Sequence, residues 1–404
     1  MKFLLKKYYQ GRISFWNTVS TEWNTIKNDK AIIATFISLT FLVLIVYTAI
    51  YSNEIVQEVP VAVINKDASK TSRDYIEMLN ATDGVVTITD YVDLQEAKKA
   101  FYANDIRGIV LIPKDFGKDL RRNRQTTITT FADASNMIFY KRVLEEVATS
   151  TGYFNAGIAI KREMAKGNSY TLAKDNYTPI QTVSTSLFNT SSGYATYITP
   201  ILTALVVQLV LLMGIGIING SKREDNKLVQ SFPRLLKKGG TIPILLGKSF
   251  VYLFLFTIIL PIQLGIVYSV FSLPIRSSLF NVYIFFIPYV LSVVFFGIAL
   301  SSFFKRREDA IVFIVLTSIP SLMLSGLSFP MEAFSPFYQH LAEIIPSTSG
   351  INGFVKLTQI QASFSEVLKE WNQLWLLTIL YFVIAGISLK IASKNEQKTK
   401  SPRY

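Results

Sequence analysis

Residues able to do covalent or acid–base chemistry are scarce in this 404-residue chain. There is one histidine, His340, and no cysteine. Nucleophile–base pairs and zinc sites are therefore all but excluded. His340 stands in an aromatic segment with Phe334, Phe337 and Tyr338 and reads as structural, and Glu145-Glu146 reads as a solvated helix face. Gly247-Lys-Ser249 looks like the end of a phosphate loop, but that loop needs a glycine five residues before Gly247. The position holds Ile242, and the nearest upstream glycine is Gly240. No catalytic, metal-binding or cofactor-binding residue emerges, and no enzyme.

Two other groups of residues could act by contact. The first is the stretch Ser221–Gly240, where Lys222-Arg-Glu-Asp225 and Pro233-Arg-Leu-Leu-Lys-Lys238 could dock a cytoplasmic partner. A solvated basic loop is the equally weighted alternative. The second is Ile13, Trp16, Val19, Trp23 and Ile26, recurring at three- and four-residue spacing among Asn17, Thr18, Glu22, Asn24 and Lys27. That spacing predicts an amphipathic helix lying in the headgroup plane of a bilayer. The plainer alternative is a helix packed in a cytoplasmic domain, but no apolar segment precedes the membrane for it to pack on.

Both groups flank apolar spans. Half the residues are apolar and mean hydropathy is positive. A bilayer core of about 30 Å needs roughly 20 apolar residues per helix. Runs of that kind occur at 31–51, 195–216, 248–270, 282–304, 310–328 and 371–389, which predicts six spanning helices. Pro261, Pro288 and Pro320 fall inside three of them, where prolines are tolerated and commonly kink the helix. No ionisable residue sits in the middle of a span, which disfavours an ion-coupled transporter. Gln208 and Gln263 read as helix–helix hydrogen-bonding groups.

The net charge of +13 does not indicate nucleic acid. Residues 52–194 hold 17 basic and 17 acidic side chains. Residues 1–30, 220–241, 305–309 and 390–404 together hold 20 basic and 7 acidic ones, a surplus equal to that of the whole chain. Basic residues retained between alternate spans put both termini in the cytoplasm. The first run, preceded by about thirty residues without a small-residue cleavage site, reads as a retained anchor.

The organisation expected is a cytoplasmic N-terminus (1–30), a first span (31–51), an extracytoplasmic α/β domain (52–194) and a membrane domain (195–389). A basic tail (390–404) follows. In the α/β domain, strands are expected at 59–64, 85–89, 108–113 and 126–131, with helices at 72–80 and 94–102. A long stalk-like helix from Asn136 to Ala173 is expected to lead back to the membrane. Residues 329–370, punctuated by Pro330, Pro336 and Pro346, are expected as broken helices that dip into the outer leaflet or lie on its surface. An extracytoplasmic domain without disulfides points to a bacterium and its cytoplasmic (inner) membrane.

The fold class is thus an α-helical integral membrane protein with six spans and an α/β domain between the first two. Ser325-Gly-Leu-Ser-Phe-Pro-Met-Glu332, with Pro346 and Gly350 beyond, resembles the stretch after the fifth span of ABC-2-type permeases. Phe329, Pro330 and Glu332 carry that resemblance, together with Ser325 and Gly326. Pro60-Val-Ala-Val-Ile-Asn-Lys-Asp67, Arg107–Phe116 and Phe131–Asn136 look like the extracytoplasmic domain of the branch with a large insert. Leu246-Gly-Lys248 resembles the entry to its third span. The likeness extends along essentially the whole chain.

The resemblance implies the permease subunit of an ATP-binding-cassette exporter. It implies a separate cytoplasmic ATPase carrying ATP and Mg, a second permease subunit, the lipid bilayer and an optional periplasmic adaptor with an outer-membrane channel. It also implies a coupling loop, here Arg223, Glu224, Asp225 and Lys227, and an interfacial helix, here Trp16, Val19, Trp23 and Ile26. Many relatives carry Glu-x-Gly-Thr in that loop, whereas this chain has Arg223-Glu-Asp-Asn226 running into Lys227-Leu-Val-Gln230. The competing reading is a membrane-anchored surface receptor or envelope scaffold.

Overall fold

The computed structural model describes residues 2–178, 186–190, 192–224, 240–304, 306–326 and 329–399. Helix α1 (Lys2–Asn28) leads into α2 (Lys30–Ile50), whose N-terminus is capped by the Asp29 carboxylate. Next come β1 (Val59–Asn65), α3 (Lys70–Asn80), β2 (Val85–Ile88), α4 (Leu94–Tyr102), β3 (Gly108–Ile112), α5 (Phe116–Arg121) and β4 (Thr129–Ala132). Helices α6 (Met137–Ala165) and α7 (Tyr170–Tyr177) follow. The chain then forms α8 (Tyr194–Glu224), α9 (Thr241–Tyr268), α10 (Leu279–Leu300), α11 (Arg307–Met323), α12 (Pro336–Glu343), α13 (Pro346–Thr358) and α14 (Leu368–Thr399). Two compact units result, Met1–Glu54 with Ser186–Tyr404 and Ile55–Thr185.

In the first unit, five helices among the described residues are long and apolar enough to cross a membrane: α2, α8, α9, α10 and the helix through Phe364–Ile391. The expected fifth span is α11, which has 17 residues and begins on Arg307, Glu308 and Asp309. With 17 residues it is shorter than those five. Helix α8 is the axis of the unit, with 89% of its apolar window buried against 28% for α2. The outward faces of α2 and α9 are apolar, with Leu42, Ile45, Phe254 and Ile258 exposed, as a lipid-facing surface requires.

The internal prolines show how such helices keep their backbone satisfied. Pro261 cannot bond the carbonyl of Thr257, which accepts the Tyr283 hydroxyl at 2.8 Å instead. Pro288 frees the carbonyl of Ile284, which accepts the Trp371 indole N–H at 3.2 Å. In each case a side chain from a neighbouring helix replaces the lost backbone donor.

The second unit is built on a four-stranded sheet of order β2-β1-β3-β4, with β1 parallel to both neighbours and β4 antiparallel to β3. β1 is apolar on both faces because it is covered on both. Val59, Val61 and Val63 pack on Tyr75 and Leu79 of α3 and Val143 and Val147 of α6. Ala62 and Ile64 pack on Ala97 and Ala100 of α4. Ser69, Asp93 and Asn136 each accept backbone N–H bonds at the start of α3, α4 and α6, respectively.

The long helix does not run to Ala173. It ends at Ala165, and Gly167, at φ +95°, turns the chain into α7, which packs back on α6. A stalk was expected because that stretch contains no proline, but one glycine in the left-handed region is enough to end a helix. With two covered sheet faces, residues 52–194 are expected to fold alone. A fragment of that range should give an α/β circular dichroism spectrum and a cooperative melt, and a disordered spectrum would refute the expectation.

Candidate functional site

Helix α1 buries a polar stripe. Ser14, Thr18, Glu22 and Ile26, spaced by four residues, are all buried, while Ile13, Trp16 and Trp23 remain substantially exposed. The stripe lies against α9, where Gly247 permits the close approach. A Cβ on Gly247 would stand 2.9 Å from the Phe15 carbonyl oxygen and 2.9 Å from Thr18 Cβ. Trp16 meets Phe250 edge-on and Trp23 meets Phe254, with centroids 6.2 and 6.0 Å apart. Val19 and Trp23 also line a shallow apolar groove of about 190 Å³ with Phe250, Val251 and Phe254. The apolar material that α1 packs on is thus a membrane helix later in the chain. An aromatic arc outside and a polar arc inside is the reverse of a helix folded onto a water-soluble body.

Glu22 is the centre of this contact. Its Oε1 accepts Lys248 Nζ at 2.8 Å and the Tyr252 hydroxyl at 2.7 Å, and its Oε2 accepts Lys222 Nζ at 3.1 Å. Lys248 Nζ also donates to Asn219 Oδ1 at 3.2 Å, and Asn219 Nδ2 donates to Ser301 Oγ at 2.8 Å. One carboxylate therefore joins α1, the C-terminal end of α8 and the N-terminal half of α9, and Asn219 extends the network to the end of α10.

Burial alone would raise the Glu22 pKa. The two ammonium groups and the Tyr252 hydroxyl outweigh it and hold the carboxyl at about 2, against 4.5 for an unperturbed glutamate. A depressed pKa means that the stabilisation from Glu22 is complete above about pH 4.5 and is lost as pH falls toward 2. Glu22 is an anion throughout the physiological range.

Further contacts close the same end of the unit. Arg223 Nη1 donates to the carbonyls of Ser302 and, at 3.0 Å, Phe304. Arg307 pairs with Asp29 at 3.8 Å, and Gly220 lies against the Arg306 backbone. The expected loop residues therefore separate. Arg223 is turned inward to the end of α10, Glu224 is exposed at the last position of α8, and Asp225 and Lys227 lie outside the described residues. Sequence reasoning missed Glu22, Asn219, Lys248 and Tyr252. The available signal was Lys248, because α9 begins at Thr241 and so places a lysine two turns inside an apolar helix, where an ammonium requires a partner.

The segment after α11 is only partly superficial. Ser325, in the turn just beyond α11, places its hydroxyl on the Leu322 carbonyl, and its own carbonyl accepts Asn352 Nδ2 at 2.9 Å. Gly326 has φ +83°, with the Met331 side chain over it. Phe329 stacks on Phe334, Pro330 opens a 3₁₀ turn, and Glu332 is exposed. His340 is also exposed, 3.7 Å from Glu343. Pro346, in contrast, starts a helix that is buried within the unit. The amide of Gln208, in the middle of α8, donates to Ser347 Oγ at 3.1 Å and accepts the Ser347 N–H at 2.8 Å. Gln263 differs: it is fully buried, but neither amide atom has a hydrogen-bond partner among the described residues, so it forms no interhelical bond.

Comparison with known proteins agrees with this architecture. The profile of the ABC-2 family transporter proteins matches residues 30–387. Two curated relatives, each described as "Probable multidrug ABC transporter permease YbhR", come from Escherichia coli strain K12 and Escherichia coli O157:H7. Each is 27% identical over 194 residues, covering 48% of this chain and 51% of the relative. The chain spans about half the length of the curated relatives it matches. With a family match over most of its length, and with several apolar helices packed around α8, the chain belongs to the ABC-2 transporter family as a multi-pass membrane protein.

Proposed function

We propose that the protein is the membrane subunit of an exporter driven by ATP hydrolysis on a separate cytoplasmic ATPase. The observation that carries this reading is the Glu22 node, which ties α1, α8 and α9 together near the end of α8 at Glu224 and the start of α9 at Thr241. Closure of an ATPase pair against that end displaces α1 and the facing ends of α8 and α9. A node of charge-assisted bonds passes the displacement into α8 and α9 as rigid bodies.

The reading includes six crossings, with α11 as the fifth, both termini in the cytoplasm of a bacterium, and residues 52–194 outside the inner membrane. A second permease subunit completes the pathway, and a periplasmic adaptor with an outer-membrane channel is an optional extension. ATP and Mg reside on the ATPase. The name of the curated relatives, a probable multidrug permease, extends the proposal to drugs as cargo.

The direct test is purification of the full chain in mild detergent from its host, followed by reconstitution. A stoichiometric ATPase whose hydrolysis drives solute out of the compartment holding ATP supports the reading. Recovery without any ATPase across several detergents points instead to the receptor or scaffold class. The exposed Glu224 separates contact from anchoring. Glu224→Lys should leave the thermal midpoint within about a degree, because exposed substitutions cost little, while lowering ATPase stimulation several-fold. If stimulation is unchanged in Glu224→Lys and in Arg223→Ala, this end of α8 is not where the ATPase acts.

A further inference from the structure

The second unit contains a cleft of about 750 Å³ between α3, α5 and the second half of α6. That volume lies within the usual range for small-molecule sites. One wall is apolar and aromatic, formed by Met78, Leu120, Tyr153, Phe154 and Ile158. Gly157 keeps it open, since a Cβ there would meet nothing within 4 Å.

Charge gathers toward the other end, where Arg121, Lys161, Arg162 and Lys166 line the cleft, against the single acid Asp74 near Met78. Two of these cations are engaged. Arg162 donates to the Leu120 carbonyl, and Lys166 pairs with Glu163 at 2.5 Å. Arg121 and Lys161 have no ion-pair partner among the described residues. From Tyr153 to Ala165 the helix rises about 18 Å, at 1.5 Å per residue. The cleft is therefore long, apolar at one end and cationic at the other.

We propose that this cleft binds a single-chain amphiphile with an anionic head, its chain along Met78, Phe154 and Ile158 and its head between Arg121 and Lys161. The polarity of the site selects the ligand. A cationic amphiphile would place its head among four basic side chains, and a short anion would leave the apolar wall wet. The site lies wholly within residues 55–185 and does not depend on the exporter reading.

The test is photo-crosslinking of the full chain in nanodiscs with a diazirine-bearing palmitic acid, mapped by mass spectrometry. The expected result is label on peptides covering 116–123 and 153–166. It should fall tenfold or more in the double variant Arg121→Glu/Lys161→Glu and in Gly157→Trp, which fills the cleft. Label on the lipid-facing α2 and α14 should stay unchanged and serves as the internal reference. Absence of label from the cleft peptides overturns the proposal. So does label that survives the charge reversal, or equal labelling by a photoreactive alkylammonium. Should Gly157→Trp not fold, the exposed charge-reversal pair still decides the outcome.

Discussion

Glu22→Ala is expected to be among the most damaging single substitutions in the membrane unit, although Glu22 lies outside every apolar span. The variant takes from Lys248, whose side chain is 2% exposed, and from Lys222, at 11%, the carboxylate that both of them pair with. Removing one partner of a buried pair costs about 3–5 kcal/mol, most of it the penalty of an unneutralised buried charge. Glu22→Gln keeps the volume and the capacity to accept Tyr252 but not the charge, so it should be nearly as damaging. If it behaves like wild type, shape rather than charge holds α1 in place.

The double variant Glu22→Leu/Lys248→Met replaces the pair with apolar groups of similar size, an exchange that is often close to neutral. It should recover most of the thermal stability lost in Glu22→Ala. If the node also transmits ATPase motion, the double variant will remain defective in transport while melting like wild type. An unchanged thermal midpoint for Glu22→Ala in detergent would remove the node from both roles.

The contrast between Glu22 and Trp23 shows what could be read from the chain. Periodicity identified α1 and its aromatic arc, because spacing reports which residues share a face. It does not report which face meets protein. In a water-soluble body the apolar arc goes inside. Here the arc of Ser14, Thr18 and Glu22 does, because an apolar surface can be left to lipid whereas a carboxylate needs partners. Those partners are more than 190 residues away, at Lys222 and Lys248, and no local pattern links them. The α/β unit was legible almost strand by strand, since its strands are short apolar runs punctuated by turn residues. The exception was the end of α6, set by the conformation of Gly167. The segment from Pro346 was hard to assign, because its punctuating prolines fit a surface position as well as broken helices in the outer leaflet. Pro346 is instead the first residue of a buried helix, where its missing N–H costs nothing.

That helix, α13, carries the second large expected effect. Gly350→Ala should lower the thermal midpoint by about 5–10 °C, on a scale of roughly 2–4 °C per kcal/mol. A Cβ at Gly350 would stand 2.3 Å from the Tyr289 ring, and one at Gly353 would stand 2.2 Å from the Phe285 ring. Both rings are fully buried, so neither can swing into solvent. Overpacking of this kind costs about 1–3 kcal/mol. Tyr289 adds to it, because its hydroxyl donates to the Ala204 carbonyl at 2.7 Å. Displacing the ring breaks that bond and leaves a buried donor unpaired, at about 1–3 kcal/mol more. Gly353→Ala should therefore be milder than Gly350→Ala, since Phe285 has no hydrogen bond to lose. Gly265→Ala is the matched control, because a Cβ there would meet nothing within 4 Å. The expected order of damage is Gly350, then Gly353, then Gly265. If all three melt alike, α13 is not packed inside the unit, and the Gln208–Ser347 pair cannot be what seats its N-terminus against the middle of α8.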